Sequence, residues 1–209
     1  ALPDLGPEVL QLRDAAIPEL RPHDLLLRNA AVGVNRADLL HRQGAYGRAS
    51  FGDADTMGLE IAGTVEAVGA QVQGFAVGDR VMGIVGGGAY AELSRIDYRM
   101  AMPVPDGLGL VEAGAIPEVF VTAHEALFHL ARLQAGESVL VHAAGGGVGS
   151  AAVQLAHAAG ARVFATASGS KHDAVKDLGA DVVVDHRSED FQAVVHEATG
   201  GRGVDVVID

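Results

Sequence analysis

Three consecutive glycines, Gly145-Gly146-Gly147, lie between the apolar run Ser138-Val139-Leu140-Val141 and the helix-forming stretch Ser150-Ala151-Ala152-Val153-Gln154-Leu155-Ala156. A strand that feeds a helix through glycines suits phosphate capture. The free N–H groups at the helix start attract an anion, and small residues let the backbone come close to it. Ala143, Gly146 and Gly149 form an AxxGxxG pattern with Gly147 and Val148 between the last two. The usual dinucleotide spacing is GxGxxG, so this pattern alone does not single out a dinucleotide.

The next apolar run ends Ala165-Thr166-Ala167-Ser168-Gly169-Ser170-Lys171, and no carboxylate follows until Asp173. A site selective for NAD places an acidic side chain at that strand end to accept the ribose hydroxyls. Ser168 and Lys171 suit a 2′-phosphate instead, one as a hydrogen-bond donor and the other as a charge. The pair predicts NADPH over NADH. The other reading of Lys171 is a solvated residue in a first helical turn.

These groups need a regular scaffold, and the pattern from Ser138 onward supplies one. The reading is a strand over 138–143, a helix over about 148–159, a strand over 162–167, a helix over about 171–178, a strand over 181–185, a helix over about 189–198 and a strand over 204–209. Gly160 and Gly179 follow the first two helices, as C-terminal caps do. Strands alternating with helices predict a parallel, doubly wound sheet. The preceding half reads as β-rich, with short strand-compatible runs at 24–31, 63–68, 80–84 and 89–94 and turn formers such as Gly74 to Asp79 between them. A helix from about Leu110 to Leu133 is expected to join the two halves.

Composition narrows the classes of function. The 209 residues, 49% of them hydrophobic, are enough to bury one large or two small cores. A net charge of −12 without a Lys/Arg cluster argues against a nucleic-acid partner. With no cysteine, disulfides and thiolate metal sites are excluded, which fits a reducing compartment, and the cytoplasm is the default expectation. The uncharged stretch 138–161 has the length of a membrane span, but its glycines and its change of period speak against one. The start of the chain lacks the basic and apolar segments of a secretory signal. A fourth strand at 204–209 with nothing to cover it leads to the expectation that this is a fragment of a longer protein.

Five motifs in order resemble the zinc-independent quinone oxidoreductases of the medium-chain dehydrogenase/reductase superfamily. They are Val34-Asn35-Arg36-Ala37-Asp38-Leu39 with Gln43-Gly44-Ala45-Tyr46, then Gly58-Leu59-Glu60-Ile61-Ala62-Gly63, then Val77-Gly78-Asp79-Arg80-Val81, then Ile116-Pro117-Glu118 with Thr122-Ala123, and finally 143–149. The resemblance implies an α/β chain: a GroES-like β-rich substrate domain over 1–110, then over 111–209 the first part of a Rossmann NADPH-binding domain, truncated before its later strands. Members of the family are longer than this chain and are commonly homodimers.

The same resemblance implies the chemistry. The zinc branch has a cysteine near Asn35 and a histidine where Leu59 stands; neither is present, so no metal is expected, and Glu60 reads as a structural remnant. Reduction of a quinone is the first expectation, and reduction of an enone or a 2-enoyl thioester is the alternative. Both place negative charge on an acceptor oxygen, for which Asn35 and Tyr46 are the candidate neutral donors. Tyr46 either gives a proton or only shapes the pocket. Thr122 either bonds the nicotinamide carboxamide or bonds back to its own helix. His186 or Arg187, just after the third strand of the second half, is expected beside the 2′-phosphate. A non-catalytic NADPH-binding protein is a further alternative, and a methyltransferase-like domain ranks last because it leaves the first half unexplained.

Overall fold

Leu25 and Leu27 alternate along the first strand and are wholly buried, each worth about 1.5–3 kcal/mol of burial. They anchor the core of the first of two compact units, Ala1–Glu118 and Val119–Asp209. The computed structural model describes residues 6–43 and 56–209.

The first unit is built on an antiparallel sheet of β1 (Asp24–Val32), β2 (Glu60–Val68), β3 (Arg80–Ile84), β4 (Leu93–Asp97) and β5 (Ala101–Pro103), in the order β4-β1-β2-β3-β5. Register shifts between Leu26 and Leu27 and between Asn29 and Ala31 curl β1 against β2. Ile61, Val65, Val81, Val85, Ala89 and Ile96 complete the core around the two leucines. The strand expected over 89–94 starts only at Leu93. The Asn29 amide donates to the carbonyls of Ala89 (3.1 Å) and Ala91 (2.8 Å), which removes those groups from a ladder. Pro103 ends β5 at the sheet edge, where its missing N–H costs nothing.

The helix expected over 110–133 is instead three pieces: α2 (Leu110–Ala113), α3 (Pro117–His124) and a π-helical turn (Glu125–Leu130). Pro117 has no N–H with which to continue α2, and its fixed φ suits the first position of α3. A Cβ at Gly114 would lie 2.8 Å from that of Ala31, so the chain packs tightly where α2 stops.

The second unit is a parallel sheet in the order β8-β7-β6-β9, formed by β6 (Ser138–Val141), β7 (Arg162–Ala167), β8 (Val182–Asp185) and β9 (Val206–Ile208). The connections are α4 (Gly147–Ala158), α5 (His172–Asp177) and α6 (Phe191–Ala198). Gly160 and Gly179 take φ of 79° and 111° just past α4 and α5, the left-handed conformation a helix stop requires. Asp190 caps α6 by accepting from the N–H of Gln192 at 2.9 Å. Val139, Val141, Val163 and Ala165 of the sheet pack with Ala151, Ala152, Val153 and Ala156 of α4. The alanines let helix and sheet approach closely. Because the fourth strand lies beside the first, the order reverses between β6 and β9, and open sheets of this kind bind ligands at the carboxyl ends of such strands. No helix among the described residues is long and apolar enough to cross a membrane.

Candidate dinucleotide cradle and buried polar network

β6 ends at Val141, and Ala143 then takes φ 49°, a left-handed value for a residue with a side chain. Two bonds from β7 hold it there: Ala144 N–H donates to Thr166 O at 2.9 Å and Ala143 N–H to Thr166 Oγ1 at 3.3 Å. Gly146 N–H closes the turn on Ala143 O at 2.8 Å, and α4 begins at Gly147. Gly149 lies beneath. A Cβ there would stand 2.4 Å from Ala143 O and 2.7 Å from Ala144 Cα, so only glycine fits. Gly146, Gly147 and Val148 are exposed, and the N–H groups of a first helical turn have no partner within their helix. An exposed glycine turn with unspent N–H groups at a helix start fits a diphosphate.

The turn after β7 lies against this cradle. Lys171 reaches back across the glycine turn, its Nζ donating to Gly145 O at 2.7 Å. The structure therefore brings Ala143, Gly146, Gly147, Val148, Gly149 and Lys171 together, with the half-buried Ser168 at the end of β7. His186 is exposed just past β8. Sequence reasoning missed Asp185, whose Oδ2 accepts from Gly169 N–H at 3.2 Å. It is far from that turn in sequence and arrives only through the β7–β8 pairing. Thr122 lies exposed on α3.

In the first unit, Asn35 caps α1 (Arg36–Arg42) and its Nδ2 donates to Glu60 Oε2 at 2.9 Å. Glu60 is 2% exposed, and its other oxygen accepts from the N–H of Glu118 at 2.8 Å, in the first turn of α3. A Cβ at Gly33 would fall 1.8 Å from Glu60 Oε2, so the glycine makes room for the carboxylate. Burial, followed by the neighbouring Glu60 and Asp38, pushes the Glu118 carboxyl up. Asp38 is also buried; its Oδ2 accepts from Asn35 N–H at 2.7 Å and from the Tyr90 hydroxyl at 2.9 Å. Asn35 thus sits between two buried carboxylates, with one of its amide hydrogens engaged. Tyr46, the other expected donor, lies outside the described residues. Leu59 is buried where the zinc branch would have a ligand, and no metal-holding group of His, Cys, Asp and Glu occurs among the described residues.

Burial, and then the bond to Asp38, raises the Tyr90 phenol above its ordinary value. The folded chain keeps that proton after the unfolded chain has lost it. The stabilisation is whole below the unfolded pKa of about 10 and declines as pH rises past it. A urea-midpoint series against pH should show a steeper alkaline loss for the parent than for Tyr90→Phe; parallel curves would contradict the linkage.

A curled antiparallel unit followed by a parallel, doubly wound dinucleotide unit defines a class of oxidoreductase, and the matches agree. Residues 21–106 match the alcohol dehydrogenase GroES-like domain and residues 147–209 the zinc-binding dehydrogenase family. The chain belongs to the medium-chain dehydrogenase/reductase superfamily.

Among curated relatives it is 48% identical over 179 residues to erythronolide synthase EryA2 of Saccharopolyspora erythraea, an alignment covering 85% of this chain and only 5% of that protein. Among solved structures, the CurK enoyl reductase is 38% identical with a TM-score of 0.83, over 95% of this chain and 61% of that one. The Escherichia coli quinone oxidoreductase complexed with NADPH is 33% identical with a TM-score of 0.87, over 98% and 63%. An NAD-dependent alcohol dehydrogenase is 35% identical with a TM-score of 0.88, over 97% and 67%.

Proposed function

We propose that this chain serves an NADPH-dependent, zinc-independent reduction of a carbon–carbon double bond conjugated to a thioester, within a polyketide-synthase-like protein. The observation that carries the reduction is the cradle at 143–149 with Lys171 laid across it. The choice of an enoyl thioester over a quinone rests on the likeness to EryA2 and to the CurK enoyl reductase. Because the chain spans 5% of EryA2, the activity belongs to the whole protein.

When bound, NADPH supplies a hydride for the β-carbon of the enoyl group, and a proton completes the α-carbon. The chain's own residues do the rest. The N–H groups of Gly147, Val148 and Gly149 receive the diphosphate, Lys171, Ser168 and His186 receive the 2′-phosphate, and Thr122 serves the carboxamide end. In the first unit, Asn35 keeps one amide hydrogen for the oxygen on which charge develops, its orientation fixed by Glu60. Tyr46 gives the proton. The resemblance puts the zinc branch's ligands near Asn35 and at Leu59, where this sequence has neither the cysteine nor the histidine, so neutral hydrogen-bond donors take the place of a Lewis acid.

Quinone reduction is the second reading, favoured by the likeness to the Escherichia coli enzyme. A reduced quinone is stabilised by its own aromaticity and can take protons from water, so it asks less of Tyr46. NADPH oxidation by the full-length protein should be faster with a 2-enoyl thioester than with benzoquinone or an orthoquinone. Tyr46→Phe should slow the thioester reaction by ~10²-fold or more, in the range of general acid catalysis, and leave quinones unchanged. Turnover of quinones alone would reverse the order of the two readings, and NADPH binding without turnover of any acceptor would overturn both.

A further inference from the structure

One carboxylate ties the turn after β7 to the turn after β8. Asp185 Oδ2 accepts from Gly169 N–H at 3.2 Å, and its Oδ1 accepts from Arg187 N–H at 3.0 Å. Its main chain is fastened as well: its N–H donates to Glu189 Oε2 at 2.8 Å, and its carbonyl accepts from the N–H of Ser188 (3.1 Å) and Glu189 (2.9 Å). Contact is close enough that a Cβ at Gly169 would lie 2.9 Å from Asp185 Oδ2.

The tied turn is the one that carries Lys171. Lys171 N–H donates to Ser168 O at 2.8 Å, closing the turn that Gly169 begins, while its Nζ reaches Gly145 O. On the other side of Asp185 stand His186 and Arg187. A carboxylate whose two oxygens are each met by a backbone N–H is not offering itself to a ribose diol. The bonds from Arg187 and Gly169, with His172 and His186 nearby, hold it below the usual carboxylate range and keep its charge engaged.

We propose that Asp185 is a positioning residue for 2′-phosphate recognition, holding Lys171 on one side and His186 with Arg187 on the other so that they face one anion. The proposal rests on the NADPH reading and adds the residue that organises it. A carboxylate at the end of the third strand then favours the phosphorylated cofactor, opposite to the effect of an acidic side chain at the end of the second.

The test is calorimetric binding of 2′,5′-ADP and of 5′-AMP, which differ only in the 2′-phosphate, to the full-length protein and to Asp185→Ala, Asp185→Asn, Lys171→Ala and the Asp185→Ala/Lys171→Ala double variant. The parent should prefer 2′,5′-ADP by about tenfold or more. Asp185→Ala should cut that preference about fivefold with 5′-AMP affinity within about twofold of the parent, and Asp185→Asn, which keeps one acceptor oxygen, should fall between them. In the double variant the loss of preference should be smaller than the two single losses combined, because part of what Asp185 holds in place is Lys171 itself. A parent without preference would overturn the NADPH reading itself. A parent that prefers 2′,5′-ADP, with Asp185→Ala unchanged or additive to Lys171→Ala, would overturn the role of Asp185 alone. A selective loss of 5′-AMP binding in Asp185→Ala would assign the carboxylate to the ribose and overturn it too.

Discussion

Gly149→Val should lower NADPH affinity by about 100-fold or more while the first unit stays folded. The atoms in the way, Ala143 O at 2.4 Å and Ala144 Cα at 2.7 Å from a Cβ at 149, are backbone and cannot rotate aside. Either α4 withdraws from the turn or the turn opens, and both displace the N–H groups that meet the diphosphate. Overpacking of this kind costs about 1–3 kcal/mol, and in a phosphate cradle the displacement adds to it. Gly146→Ala is the graded control, since a Cβ there would meet only Ala143 O at 3.2 Å. Titration by cofactor fluorescence, with near-ultraviolet circular dichroism to check folding, decides the outcome. Equal affinities for the parent and Gly149→Val would mean that phosphate does not sit on this turn.

Lys171→Ala should weaken NADPH by about 10- to 100-fold and NADH by less than about twofold. A charge-assisted bond to phosphate is worth about 1.5–3 kcal/mol, and only one of the two cofactors has the group that Lys171 is proposed to meet. The contact of Lys171 with Gly145 O gives a modest structural role that affects both cofactors alike, so the ratio of the two losses is the informative quantity. Equal losses would sink the 2′-phosphate assignment, and the solvated-lysine reading would stand.

The parts of this site that could be read from sequence are those whose partners are close along the chain. Gly146 and Gly149 lie within one strand–turn–helix, and Lys171 follows directly on the next strand, so spacing alone located them. The glycines closing α4 and α5 were legible for the same reason. Asp185 was not, because its bond to Gly169 forms only when β7 and β8 pair. Glu60 read as a structural remnant, but which group it holds did not show in the sequence: its partner Asn35 is 25 positions away. The false strand at 89–92 has the same origin: Asn29, 60 and more positions distant, takes up the carbonyls that a ladder would have needed. The helix expected over 110–133 runs through Pro117, whose missing N–H marks the break between α2 and α3.

The left-handed turn at Ala143 has a thermodynamic meaning of its own. That conformation costs a residue with a Cβ about 1–2 kcal/mol, and it persists because Thr166, on the neighbouring strand, supplies both bonds that hold it. The shape proposed to receive the diphosphate is therefore borrowed from strand pairing and is not encoded in the glycine peptide. On the proposed reading, cofactor binding and the closure of β6 on β7 share one free energy: whatever loosens the pairing should weaken the ligand, and the ligand should in turn protect the sheet from opening.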